Sequence, residues 1–99
     1  MARVALHCRD LLFGSKVEGA LRAAGHEVER HGEGADVVVV DLTDPDVPWP
    51  AAAGAPRLGF YSHVDQETRK RAEEAGFDLV VPRSRMNREA AALVEKLAG

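Results

Sequence analysis

The sequence is poor in cysteine and in aromatic residues: one cysteine, one tryptophan, one tyrosine and three phenylalanines in 99 residues. A single cysteine, Cys8, cannot form an internal disulfide, which excludes a small disulfide-stapled scaffold. No apolar run approaches the roughly 20 residues that a membrane span needs. The first residues lack the long apolar stretch of a signal peptide, so a cytoplasmic location is expected. Charge of one sign is also missing. Thirteen basic against sixteen acidic residues leave a net charge of −3, so no global field favours nucleic acid. Neither nucleic acid nor membrane is expected as a partner. Apolar residues make up 45% and charged residues 29%, which is ordinary globular usage and excludes disorder. The length suits one domain spanning residues 1–99.

What is present alternates between short apolar runs and amphipathic stretches. Arg3 to Cys8 fits a buried strand. Asp10 to Gly14 reads as a turn holding Leu11, Leu12 and Phe13. Ser15, with Glu18 three residues on, looks like a capping box that opens a helix over residues 16–24. Val17, Ala20, Leu21 and Ala24 give that helix one apolar face, and Gly25 stops it. His26 to Arg30 has Val28 as its only strong apolar residue and therefore predicts an edge strand. The tract His31-Gly32-Glu33-Gly34-Ala35 cannot form a stable helix. Ala35 to Leu42 contains four consecutive valines, Val37 to Val40, and leaves both faces apolar, which predicts a central strand covered on both sides.

Thr43 to Arg57 is loop-rich and holds Pro45, Pro48, Pro50 and Pro56. One helical turn over Ala51, Ala52 and Ala53 is conceivable within it. Leu58 to Tyr61 reads as a strand. Val64 to Ala75 reads as a helix capped by Asp65, with Val64, Thr68, Ala72 and Ala75 inward and Gly76 ending it. Phe77 to Val81 is the last strand, stopped by Pro82. Ser84 or Asn87 then caps a helix on which Met86, Ala90, Leu93, Val94 and Leu97 share a face. Helices alternating with apolar strands argue for a parallel sheet with helices on both faces. Residues 30–36 span at most about 24 Å when extended, which leaves no room for a helix between the second and third strands.

Three places resemble a response-regulator receiver domain, the bacterial signalling module of flavodoxin-like fold. Val37-Val38-Val39-Val40-Asp41-Leu42 is similar to the receiver's third strand, with Asp41 at the phosphoacceptor position. Ser62 follows the next strand where the family carries serine or threonine. Ala75-Gly76-Phe77-Asp78-Leu79-Val80-Val81-Pro82 is similar to the family's approach to its last strand and proline. The resemblance implies a three-layer α/β sandwich with a five-stranded, mostly parallel sheet in the order 2-1-3-4-5. The second helix is missing and the third is replaced by the proline-rich loop. It also implies another protein as partner, a kinase or an output protein, with a homodimer as a further option. Two departures stand out. The family's pair of acids for Mg²⁺ corresponds here to the tract His7-Cys8-Arg9-Asp10, with one acid. The lysine before the last proline is Val81. The chain thus resembles a shortened pseudo-receiver. No cofactor is expected beyond a weak Mg²⁺ site at Asp10 and Asp41.

Function in open α/β sheets gathers at the carboxyl ends of the strands. Asp41, Asp10, Ser62, His63 and Arg83 are all expected on that edge. A plainer reading has Asp41 and Asp44 capping turns in Asp-Leu-Thr-Asp-Pro. Cys8 after the first strand also resembles the phosphocysteine of sugar-phosphotransferase IIB proteins. Against that, Leu11, Leu12 and Phe13 are bulky where a phosphate cradle needs small residues, and a buried free cysteine is commoner. The four histidines show no metal-ligand spacing. Arg69, Lys70 and Arg71 read as a solvated helix face. Arg83, Arg85 and Arg88 cluster without equal acidic compensation and could meet an anion or an acidic patch of a partner. Trp49 either lids the core or anchors a partner, the lid being favoured. The expected function is a non-catalytic receiver-like regulatory module working by protein–protein contact, with phosphorylation at Asp41 as a sub-case. A small phosphocarrier or enzyme of the sugar-phosphotransferase IIB type using Cys8, and a purely structural or self-associating domain, are the alternatives.

Overall fold

The computed structural model describes residues 2–30, 34–50 and 54–98. The element order is β1 (Arg3–His7), α1 (Leu11–Ala23), β2 (Glu27–Arg30), β3 (Val37–Asp41), β4 (Arg57–Tyr61), α2 (Gln66–Glu74), β5 (Leu79–Pro82) and α3 (Arg83–Ala98). All strand pairings are parallel, and the sheet order is β2-β1-β3-β4-β5. The expected flavodoxin-like sheet is therefore the observed one, with no helix among the described residues between β2 and β3 or between β3 and β4. The tract at residues 31–33 and the alanine turn at 51–53 lie outside the described residues.

The valine strand is central as expected. Its alternation assigns one set of side chains to each face. Val37 and Val39 join Val17 and Leu21 of α1 and Met86, Leu93 and Val94 of α3 in the larger core cluster. Val40 and Leu42 face the other way, where Val47, Ala72 and Phe77 form a smaller cluster with Trp49 packed against it. Trp49 thus does act as a lid, its ring edge-on to Phe77 with centroids 5.4 Å apart. The half of this second face without a helix is written in charge instead. Arg3 on β1 reaches Glu29 on β2 at 3.2 Å and Glu27 at 3.8 Å. This explains why β2 reads so polar: only Val28 points into the core.

Several local expectations need correction. The first helix begins at Leu11, not after Ser15. Asp10 is its N-cap, its Oδ1 accepting from Phe13 N at 3.0 Å. Phe13 is buried against Phe60 of β4 with ring centroids 5.0 Å apart, and that packing draws residues 11–14 into the helix. Ser15 and Glu18 then fall inside it, and Glu18 pairs with Arg22 and Arg30 at 3.0 and 3.2 Å. Gly14 leaves space for the Arg30 side chain in this arrangement. A Cβ there would meet the Arg30 guanidinium at 2.9 Å, which crosses the helix to reach the Cys8 carbonyl at 2.8 Å.

Val64 is exposed rather than inward, because it precedes the Asp65 cap, and only Ala72 of α2 is buried. Ala75, at the C-cap, is also exposed. Pro82 is part of β5, paired with Tyr61, which an edge strand tolerates. The last helix starts at Arg83, ahead of both expected caps, and breaks at Glu89 (φ −128°, ψ 21°).

Candidate functional site at the carboxyl edge of the sheet

The parallel sheet delivers the ends of β1, β3, β4 and β5 to one edge. Asp10 follows β1, Asp41 ends β3, Ser62 follows β4 and Arg83 follows β5. Asp10 and Asp41 share a cleft of ≈ 370 Å³ with Arg9, Thr43, Asp44 and Pro45. Ser62 and His63 do not line it. They form the turn into α2 instead: the Ser62 carbonyl accepts from Asp65 N at 2.8 Å, and that of His63 from the Gln66 side chain at 2.8 Å.

Asp41 is only 2% exposed. Its Oδ1 accepts from Thr43 N at 2.9 Å and Thr43 Oγ1 at 2.5 Å. Its Oδ2 faces the Cys8 thiol at 3.7 Å. The first two bonds are those of an Asx turn. Asp44 makes a similar one to Asp46 N at 2.9 Å. Both acids therefore cap turns, as the plainer reading holds. Arg9, which the sequence presents only as one member of the tract after β1, spans the mouth of the cleft to Asp46 at 3.0 Å and Asp44 at 3.9 Å.

Asp10 is engaged on both oxygens. Oδ1 caps α1, and Oδ2 accepts from Arg83 at 2.5 Å. The Phe13 N–H, and then the Arg83 guanidinium, hold its carboxyl below the usual carboxylate range. Arg83 also lies over the Phe13 ring, 4.3 Å from its centroid. The basic cluster is thus less open than its composition suggests. Arg83 pairs with Asp10, and Arg85 with Glu89 at 3.5 Å, one helical turn on. Among the described residues Arg88 makes no ion pair, and it donates to the Ser84 carbonyl at 3.4 Å. The unfavourable placing of cations at a helix N-terminus is offset by the Asp10 contact, 73 residues away in the chain.

Cys8 is buried, and burial, with Asp41 beside it, pushes its thiol up to about 11. A thiol so placed is protonated at neutral pH and is a poor nucleophile. The start of α1 behind it is already capped by Asp10. Neither property suits a phosphocysteine. Another residue that sequence reasoning missed is Arg57. It is buried and donates to the carbonyls of Pro50 at 2.9 Å and Ala75 at 2.6 Å, joining the proline loop to the end of α2. His26 is accounted for structurally: Nδ1 accepts from Ala2 N at 3.0 Å and Nε2 faces Glu95 of α3 at 3.1 Å. No cluster of three or more metal-ligating acids, histidines or cysteines occurs among the described residues.

No protein-family model matches the chain, and no curated protein sequence does. Solved structures do. A CheY-like response-regulator receiver domain from Methanospirillum hungatei superposes with a TM-score of 0.82 at 14% identity, covering 99% of this chain and 94% of its own. The fold is that of a receiver domain. The receiver domain of a sensor histidine kinase from Pseudomonas aeruginosa, described with a magnesium ion coordinated in its active-site cleft, gives 0.79 at 14% identity over 99% and 98% of the two chains. The beryllofluoride-activated receiver domain of nitrogen regulatory protein C gives 0.70 at 22% identity over 97% and 93%. On this receiver-like scaffold, Asp41 ends the third strand and Arg83 opens the last helix. No helix of the described residues is long and apolar enough to cross a membrane.

Proposed function

We propose that this receiver-like domain is a non-catalytic signalling module that acts through contact with another protein, a kinase or an output protein. The observation that carries the reading is the Asp10–Arg83 pair. It occupies the single acid of the β1 edge with a cation from the protein itself. Mg²⁺ requires a near-octahedral shell of oxygens. Asp10 and Asp41 are both committed to hydrogen bonds, and the Arg9 guanidinium lines the same cleft. These residues do not fit a tight Mg²⁺ site.

Phosphotransfer to Asp41 is disfavoured by the same geometry. Its carboxylate is buried and held by Thr43. Val81, at the position before the last proline, is buried and apolar, so that position supplies no ammonium to neutralise a phosphorylated aspartate. The likeness to receiver structures, one of them from a histidine kinase, supports a role in signalling. A titration with Mg²⁺ and then beryllofluoride, followed by two-dimensional amide NMR, tests the reading. The amides of Asp10, Asp41 and Thr43 are expected to move no further than in a matched salt control. Saturable shifts at those amides would overturn it.

A further inference from the structure

On the face of the sheet opposite α1 and α3, the proline loop stands apart from α2 and leaves a groove of ≈ 530 Å³. Leu42 and Val47, both buried, form its floor. Trp49, Asp44, Asp65 and Arg71 line it above. The groove exists because no helix occurs among the described residues between β3 and β4. The described stretch of the proline loop, residues 43–50, is set before any partner arrives. Proline fixes φ at Pro45 and Pro48, Val47 N donates to the Asp44 carbonyl at 3.1 Å, and Arg57 holds the Pro50 carbonyl. A preformed wall loses little entropy on binding.

The lining has a definite chemistry. Trp49 already carries one cation, the Arg71 guanidinium at 5.5 Å from its ring centroid, so its surroundings suit cation–π contact. A half-buried tryptophan is also a common energetic anchor of interfaces. Two carboxylates, Asp44 and Asp65, face the groove against the single cation Arg71. The Thr68 hydroxyl and N–H hold the Asp65 carboxyl below its usual range, which keeps it charged at neutral pH. Asp46 is paired with Arg9 at 3.0 Å, and Asp44 lies 3.9 Å from the same guanidinium, so the negative charge of the groove rests on Asp44 and Asp65 against Arg71.

We propose that this groove receives an extended, basic segment of a partner protein, with an apolar side chain against Trp49 and a lysine or arginine facing Asp44 and Asp65. The proposal deepens the contact-module reading and rests on it, yet the two fail separately. Phosphate uptake would overturn that reading, whereas an empty groove overturns this one.

Trp49 is the only tryptophan, so its emission reports on the groove directly. The probe is an acetylated heptapeptide of alternating leucine and arginine, with a twin carrying glutamate in place of arginine. The basic peptide is expected to shift Trp49 emission saturably, and the acidic twin to leave it unchanged. Asp44→Asn with Asp65→Asn should weaken binding about tenfold or more. Asparagine still caps α2, and circular dichroism checks that the variant is folded. No saturable change with the basic peptide, an equal response to the acidic twin, or unchanged affinity in the double variant would overturn the proposal. So would emission that varies with protein concentration alone, which would make a second copy of the chain the occupant.

Discussion

Gly59→Ala puts the packing of the second face to a quantitative test. Gly59 lies in β4, between Val40 of β3 and Val80 of β5. A Cβ at this position would stand 2.6 Å from Leu42 Cδ1, 3.0 Å from Leu42 Cγ and 3.1 Å from Phe77 Cδ2. Ordinary carbon contacts lie at roughly 3.5–4.0 Å. Leu42 can yield only toward the groove it floors, and Phe77 has little room to withdraw. Leu42 is buried beside Val47, and Phe77 is held between the Arg57 guanidinium at 4.4 Å and Trp49 at 5.4 Å. Overpacking of this kind costs about 1–3 kcal/mol. In a domain of this size each kcal/mol moves the midpoint by about 4–8 °C, so the melting temperature should fall by roughly 4–24 °C. Leu42→Ala alone should cost about 2–5 kcal/mol through the cavity it leaves. In the double variant the added methyl enters that cavity, so the combined loss should be smaller than the sum by about 0.5–3 kcal/mol. Urea denaturation followed by circular dichroism and by Trp49 emission measures all three. Wild-type stability for Gly59→Ala, or strictly additive losses, would refute the packing account.

Val39→Asp places an unpaired carboxylate among fully buried side chains and should unfold the domain at room temperature by circular dichroism. Cys8 should react slowly with a chromogenic thiol reagent at neutral pH and speed up only as pH climbs toward about 11. Because its folded pKa is raised, the stability linked to it is present below the unfolded value and is lost as pH rises through about 11. Cys8→Ala should therefore flatten the alkaline limb of a stability–pH curve. Asp10 has a lowered folded pKa, so its contribution is present above the ordinary carboxylate value and fades as pH falls below it. Asp10→Ala should lower the melting temperature at pH 7 and narrow its difference from wild type in acid.

The parts of the fold that local chemistry decides were legible in the sequence. Four valines in a row have no polar face to turn outward, so Val37–Val40 could only be central. Six residues between β2 and β3 could hold no helix. The start of α1 was not legible, because Ser15 and Glu18 mimic a capping box. Asp10 prevails only through the contact of Phe13 with Phe60, residues far apart in the chain. The Arg83–Asp10 pair is hidden for the same reason, and it closes a basic cluster that composition presents as open. The Asp41 turn was legible, since aspartate followed two residues later by threonine is ordinary Asx-turn chemistry. Arg71 reads as a solvated helix cation, and only the folded loop brings Trp49 beneath it. Arg57 carried no local signal at all, being a strand arginine whose carbonyl partners lie at Pro50 and Ala75.

The central claim is that the carboxyl edge, closed by Arg83 on Asp10 and by Thr43 on Asp41, does not accept phosphate. The most direct measurement is the intact mass of the protein after incubation with acetyl phosphate and Mg²⁺, for wild type and for Asp41→Asn. The account predicts identical, unmodified masses for the two proteins. A rapid, Mg²⁺-dependent gain of one phosphate in wild type, absent from Asp41→Asn, would contradict it.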